Sequence, residues 1–303
     1  MHKLEASEGL RQEKLKQLRD YLHESCTSKR VVNIGEVAFV TSINLLSGTL
    51  FSLDFASFDS NSAQEMKETV QGLMKILGTP NLADYFPLLK LIDPQGLRRG
   101  SEDLIVAGAD TTIDSVQWAM TELLRNPHKM TKAKDELRTI IGENKQVEEL
   151  DISRLPYLQA VIKETFRCHP AGPFLVPHKA EANVEINGYI VPEDTQILVN
   201  VWAIGRDSRI WSNPDIFEPE RFLDNKIDYR GQHFELIAYG SGKRMCPGLP
   251  LAHVMVHLMI ASLIHNFDWK LEPGMKPEDL DLNEMFGLSL HKAIPLEAFP
   301  IFQ

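Results

Sequence analysis

Cys246 stands in the stretch LIAYGSGKRMCPGLPLA, 236–252, behind Gly240, Gly242 and the basic pair Lys243-Arg244 and ahead of Pro247 and Gly248. Glycines let backbone amides approach a sulfur and stabilise it as a thiolate, the form that binds metals. Pro247 stiffens the exit. The helix expected to follow turns its partly positive N-terminus back towards that anion. A phosphate-binding loop is excluded by spacing, since it needs a glycine five positions before Gly242 and a Ser or Thr after the lysine. Ile237 and Arg244 occupy those places. One thiolate with no Cys or His close in sequence does not make a structural zinc site. It suits a cofactor that brings its other ligands with it, as haem does.

Other candidates are weaker taken singly. AGADTT, 107–112, puts Asp110 and Thr111 on a helix as a polar patch. KETFR places Glu164 and Arg167 at i,i+3, a common surface ion pair, and the helical period sets both opposite the apolar stripe, which would expose them. FEPERF supplies Arg221. His253 and His257 have metal-ligand spacing but no HExxH pattern around them, and read as ordinary residues of a buried helix.

The elements that must carry these residues are mostly helices. GEVAFVTSINLLSGTLFSL is long, apolar and expected to be buried. Met66, Val70, Leu73, Met74 and Leu77 recur at helical spacing, with Gly78 as a stop. A proline-punctuated connector leads to a helix with Ser101 as its cap and Asn126-Pro127 as its end. Met130 to Ile141, closed by Gly142, makes the next helix, and Leu158 to Phe166 another that stops before Pro170. The period then changes. NVEINGYIVP reads as a hairpin about Asn187-Gly188, and TQILVNVWAI as one more strand. LAHVMVHLMIASLIHNF, after the cysteine loop, is apolar nearly all round and so belongs inside a core. The expected class is mainly α with a small β region.

The 303 residues, 43% hydrophobic and 24% charged, can build a sizeable core. A net charge of −10 argues against nucleic acid as a partner. Cys26, Cys168 and Cys246 are far apart and odd in number, so no disulfide framework is expected. Neither the charged N-terminal stretch nor the longest apolar run predicts a membrane span.

Taken together and in order, AGADTT, KETFR, FEPERF and YGSGKRMCPG resemble the motifs of cytochrome P450 monooxygenases. The loop pattern Phe-x-x-Gly-x-Arg-x-Cys-x-Gly is matched by Gly242, Arg244, Cys246 and Gly248, with Tyr239 in the phenylalanine position, where it is expected to shield the thiolate side of the haem. The resemblance implies Cys246 as axial ligand of haem b iron and Arg244 as partner of a haem propionate. It implies Asp110 and Thr111 in oxygen activation and proton delivery, with Ala107 and Gly108 leaving room over the iron in a locally opened helix. Glu164, Arg167 and Arg221 would form a buried network supporting the loop. The implied activity inserts one oxygen atom of O2 into a C–H bond, with electrons from NADPH through a flavoprotein reductase, NADPH–cytochrome P450 reductase, as partner. INLLSGTLFSLDFASF and GTPNLADYFPLLKLIDPQGLRR are similar to plant microsomal members related to geraniol 8-hydroxylases, which implies a small apolar, terpenoid-like substrate and the cytosolic face of the endoplasmic reticulum.

Against the family's length, the chain is expected to be one partial domain over 1–303. It would comprise a helical part (1–100) and a part holding the central helix, small sheet and haem-thiolate loop (101–303). A deletion is expected at Gly100-Ser101, where six residues, roughly 9 Å of helix, precede Ala107. An anchor would be absent and the chain then cytosolic. Two alternatives follow: an inactive truncated remnant, or a haem-free helical binding module with zinc on Cys246 or on His253 and His257.

Overall fold

The computed structural model describes residues 7–58, 104–143 and 145–302. The helix expected at 66–77, the connector after it, the Ser101 cap and the 100/101 join lie outside them.

The charged N-terminal stretch forms α1 (Glu8–Ser28), which turns Leu15, Leu18 and Leu22 into the core. Two of its buried charges are paired: Arg11 grips Glu149 from Nε at 2.5 Å and Nη2 at 3.0 Å, and Lys14 reaches Asp54 at 2.8 Å, while the buried Arg19 donates to the Gln146 side chain at 2.8 Å. Lys29, at φ 52°, ends the helix by returning its N–H to Cys26. After the short β1 (Val32–Asn33), the Asn33 side chain accepts the Glu36 N–H and starts α2 (Ile34–Phe51), the apolar helix the sequence predicts.

Across from α2 runs α3 (Leu104–Arg125). The two helices approach closely at Gly108, where an added Cβ would lie 3.2 Å from Leu46 Cδ1. Pro127 opens α4 (Pro127–Ile141), and Gly142, at φ 92°, closes it as expected. A 3-10 turn, Glu149–Arg154, leads into α5 (Pro156–Cys168). The last helix, α7 (Leu249–His265), is buried from Val254 through His265, in agreement with its unbroken apolar sequence. Between them lies the short α6 (Val201–Gly205).

The β structure is minor. β2 (His178–Lys179) pairs with β5 (Gln196–Ile197), and β3 (Val184–Ile186) with β4 (Tyr189–Val191). The β3–β4 turn is the expected one: Asn187 at φ 50° and Gly188 at φ 82° give the left-handed geometry that a two-residue hairpin needs. The strand expected over TQILVNVWAI is confined to β5. Asn200 caps the Ala203 N–H at 2.9 Å and converts the rest into α6. β6 (Phe267–Lys270) and β1 flank β9 (Glu297–Phe302) in a three-stranded antiparallel sheet, and β7 (Glu284–Met285) pairs with β8 (His291–Lys292). Buried side chains from Leu15 to Ala298 make one contiguous cluster. Among the described residues no helix is long and apolar enough to cross a membrane.

Candidate haem-thiolate site

The loop before α7 is bent by Gly240 (φ 73°) and Gly242 (φ 68°), a backbone region that side chains other than glycine rarely adopt. Gly242–Arg244 forms one 3-10 turn, and the chain folds back so that the Cys246 N–H donates to the Tyr239 carbonyl at 3.0 Å. Cys246 is half-buried, three residues before the first residue of α7. A Cβ added to Gly248 would sit 3.7 Å from the Cys246 sulfur, so Gly248 brings bare backbone against the thiol. Arg244 is exposed, and among the described residues no carboxylate lies within ion-pair distance of it. A soft ligand atom, backbone beside it and an uncommitted guanidinium fit an iron porphyrin with acidic side arms. The other cysteines fit it poorly. Burial pushes the Cys168 thiol well above its ordinary range, and burial also raises Cys26.

The Glu164, Arg167 and Arg221 set is assembled, and here the periodicity-based expectation fails: Glu164 and Arg167 are 0% and 1% exposed. Arg167 holds Glu164 through Nε (2.7 Å) and Nη2 (2.8 Å), and donates to the carbonyls of Gly205, Pro214 and Ile216. Glu164 Oε1 also accepts from Arg221 Nε at 3.0 Å and from the Glu218 N–H at 2.7 Å. Every charge is answered, which is the condition for burying it. The groups that satisfy this polar face come from Gly205 of α6, from Pro214, Ile216 and Glu218, and from Arg221 in a 3-10 turn at Pro219–Phe222, all invisible to a helical wheel of α5.

Asp110 and Thr111 are adjacent in sequence yet face different surroundings. Thr111 is half-buried and its hydroxyl donates to the Ala107 carbonyl at 2.8 Å, while Thr112 does the same to Gly108. Helix α3 is continuous through 107–112, without the local opening the resemblance implies. The space beside Gly108 is likewise filled, by Leu46 of α2. Asp110 is buried and accepts from the Ser289 hydroxyl at 2.8 Å. It begins a polar row at four-residue intervals: Asp110, Asp114, Trp118 and Glu122, all buried. The row meets the C-terminal segment. His291 Nδ1 lies 3.0 Å from Asp114, and its Nε2 3.6 Å from Asp110. His169, stacked on Trp118 at 3.9 Å, bridges Glu122 and Glu284.

Asp114, Ser289 and His291 gather around Asp110, a grouping that sequence reasoning missed. The i,i+4 spacing of Asp110 and Asp114 was visible, but no local signal pairs α3 with a strand 180 positions later. Asp110, Asp114 and His291 are also the one group of three among the described residues whose ligand atoms come close enough for a metal ion. Among the described residues His253 and His257 have no third ligand. The His253 ring nitrogen takes the Tyr229 hydroxyl at 2.6 Å, and His257 Nδ1 bonds the His253 carbonyl at 2.6 Å.

A sequence profile described as Cytochrome P450 matches residues 93–294. Similar plant proteins extend the match over nearly the whole chain. Cytochrome P450 76T24 of Catharanthus roseus is 49% identical over 356 aligned residues, which cover 99% of this chain and 71% of that protein. Ferruginol synthase of Isodon rubescens is 43% identical, covering 98% of this chain and 72% of the synthase. Carnosic acid synthase of Rosmarinus officinalis is 44% identical, covering 98% and 71%. Each alignment is longer than the chain's 303 residues, so some fifty positions of the relatives face no residue in it. With the profile covering two thirds of the chain and a mainly helical structure with small sheets, the chain belongs to the cytochrome P450 family of monooxygenases, oxidoreductases that use haem iron and electrons from NADPH supplied by a reductase.

Proposed function

We propose that the chain is a haem-thiolate monooxygenase of terpenoid metabolism, with Cys246 as the iron's axial ligand, Arg244 as partner of a haem propionate, and Gly242, Gly248 and Tyr239 shaping the loop. The carrying observation is the Cys246 thiol set against the bare backbone of Gly248 at the mouth of α7. Bound haem supplies oxygen activation and oxygen-atom transfer to a C–H bond, favoured by electron density from a thiolate. The chain's part is to hold the thiolate, keep water out and deliver protons. Helix α7 directs the partial positive charge of its N-terminus towards the sulfur region, and the Cys246 amide pins the loop to the Tyr239 carbonyl. Glu164, Arg167 and Arg221 fix nearby backbone as structural members. Thr111 presents a hydroxyl from α3, and Asp110 holds a proton-exchanging carboxyl one residue away. Two relatives are named for making ferruginol and carnosic acid, both terpenoids, which supports a terpenoid substrate here. A plant microsomal setting with NADPH–cytochrome P450 reductase as partner goes with that reading.

The second reading is reduced competence. The excess of aligned positions over chain length supports one partial domain with an internal deletion, which we place at Gly100-Ser101. A shortened roof would admit water to chemistry that a closed site excludes.

One preparation tests both. The purified chain is loaded with haem and reduced, and its carbon monoxide difference spectrum is taken for the parent, Cys246→Ala, Cys26→Ala and Cys168→Ala. A thiolate-type band in all except Cys246→Ala is expected, and equal loss in Cys168→Ala overturns the ligand assignment. With reductase, NADPH and a panel of terpenoid alcohols and diterpenes, little coupled turnover is expected. Robust hydroxylation would refute the second reading and leave the first standing.

A further inference from the structure

Behind the cysteine loop, a run of aromatic side chains leads away from Cys246 that the monooxygenase reaction does not use. The Tyr239 carbonyl takes the Cys246 N–H, and the Tyr239 ring lies 5.4 Å from that of Tyr229. Phe166 stands edge-on to both, at 5.3 and 5.0 Å. Tyr229 is 3% exposed, and its hydroxyl meets His253 Nδ1 at 2.6 Å. His253 is half-buried.

We propose that Tyr229 and His253 form a redox-active pair. One electron leaves the Tyr229 phenol, its hydroxyl proton passes to His253 Nδ1, and the electron travels by way of Tyr239 to a one-electron oxidant at the Cys246 loop. The balance is complete. The oxidant, an over-oxidised metal centre, gains one electron, Tyr229 becomes a neutral phenoxyl radical, and His253 becomes imidazolium. A soluble one-electron donor such as a thiolate restores the phenol as the imidazolium returns its proton.

The arrangement meets the physical demands of that step. A phenol that loses an electron becomes a strong acid, and a buried phenoxyl cation is untenable without a base at hydrogen-bond distance. His253 is such a base. Burial, aided by Arg230, lowers its pKa, so the ring is neutral at pH 7, and in the tautomer protonated at Nε2 its Nδ1 accepts from the phenol. His257 does not compete for that nitrogen, because it bonds the His253 carbonyl instead. Burial raises the Tyr229 phenol, which keeps it the donor in the pair. The direction of electron flow towards Cys246 rests on the haem-thiolate reading, whereas the pair itself does not.

The test uses the haem-free chain. Cys26 is replaced by Ser, and a ruthenium polypyridyl photosensitiser is attached to the Cys246 thiol. Cys168, buried with a raised pKa, stays unlabelled. Flash excitation with methyl viologen as electron acceptor generates the oxidant in place, and radicals are read by transient absorption and electron paramagnetic resonance. A tyrosyl radical is expected that disappears in Tyr229→Phe. In His253→Gln, which keeps an acceptor but no base, it should form on the order of a hundredfold more slowly and lose its H2O/D2O rate difference. Circular dichroism establishes that both variants fold as the parent does. A radical that persists in Tyr229→Phe, or an unchanged rate in His253→Gln, overturns the proposal. No haem is present, so that result would leave the haem reading intact, and a failed carbon monoxide spectrum would equally leave the pair intact.

Discussion

Glu164 and Arg167 face each other as a two-pronged ion pair, Nε to Oε2 at 2.7 Å and Nη2 to Oε1 at 2.8 Å, with neither side chain reaching solvent. Removing one partner strands the other charge in the interior. Glu164→Gln and Arg167→Leu should each lower unfolding free energy by about 3 to 5 kcal/mol, measured by denaturant titration. The double variant should lose less than the two losses added, because neither charge is then left alone. Additive losses would mean that the pair is not coupled.

Gly205 is a second point where that network tolerates no change. A Cβ there would stand 2.3 Å from the Arg167 carbonyl oxygen, a backbone atom that cannot swing aside. Gly205→Ala should cost about 1 to 3 kcal/mol by overpacking. A melt unchanged from the parent would show that α6 can move away from α5 freely.

Thr111→Ala tests proton delivery apart from haem binding. The Thr111 hydroxyl is satisfied within its own helix, at Ala107, so removing it should leave the fold and the carbon monoxide spectrum unchanged. In whatever turnover the reconstituted chain supports, product formed per NADPH should fall by at least about tenfold while hydrogen peroxide rises. Equal coupling in parent and variant would take Thr111 out of the reaction.

His257 gives the fold a defined acid weakness. Burial, with His253 beside it, pushes its pKa down from 6.5 to about 3. Below about pH 6.5 the unfolded chain takes up a proton that the folded chain refuses, so stability declines as pH falls towards 3. The slope from this residue is at most about 1.4 kcal/mol per pH unit. Urea unfolding across that range should therefore give a flatter pH profile for His257→Gln than for the parent. Parallel profiles would place the acid sensitivity elsewhere.

What the sequence disclosed follows from how far each signal reaches. The loop around Cys246, the Asn187-Gly188 turn, the Gly142 stop and the buried α7 depend on neighbours within a few positions, and they were readable as such. The burial of Glu164 and Arg167 was not, because the side chains and carbonyls that satisfy them belong to residues 205–221, around a different turn. The same limit hid Ser289 and His291, whose partners lie on α3 far earlier in the chain. The continuity of α3 at 107–112 was missed for a third reason. The family motif suggested an opening, whereas the helix runs unbroken past both threonines.

The three-stranded sheet sets an order in time as well as in space. β9 lies between β1 and β6, pairing Asn33 with Glu297 and Phe267 with Phe302. The strand that joins both neighbours is thus made long after β1 and soon after β6. At about 5 to 20 residues per second, β1 waits roughly 10 to 50 seconds after its own synthesis for its partner. During that interval the nascent chain carries an unpaired β1, joined near its end by an unpaired β6, the kind of surface that chaperones shield and that neighbouring copies can capture. Slow codons or crowding before β9 is made would therefore reduce the yield of folded protein with no change in any side chain.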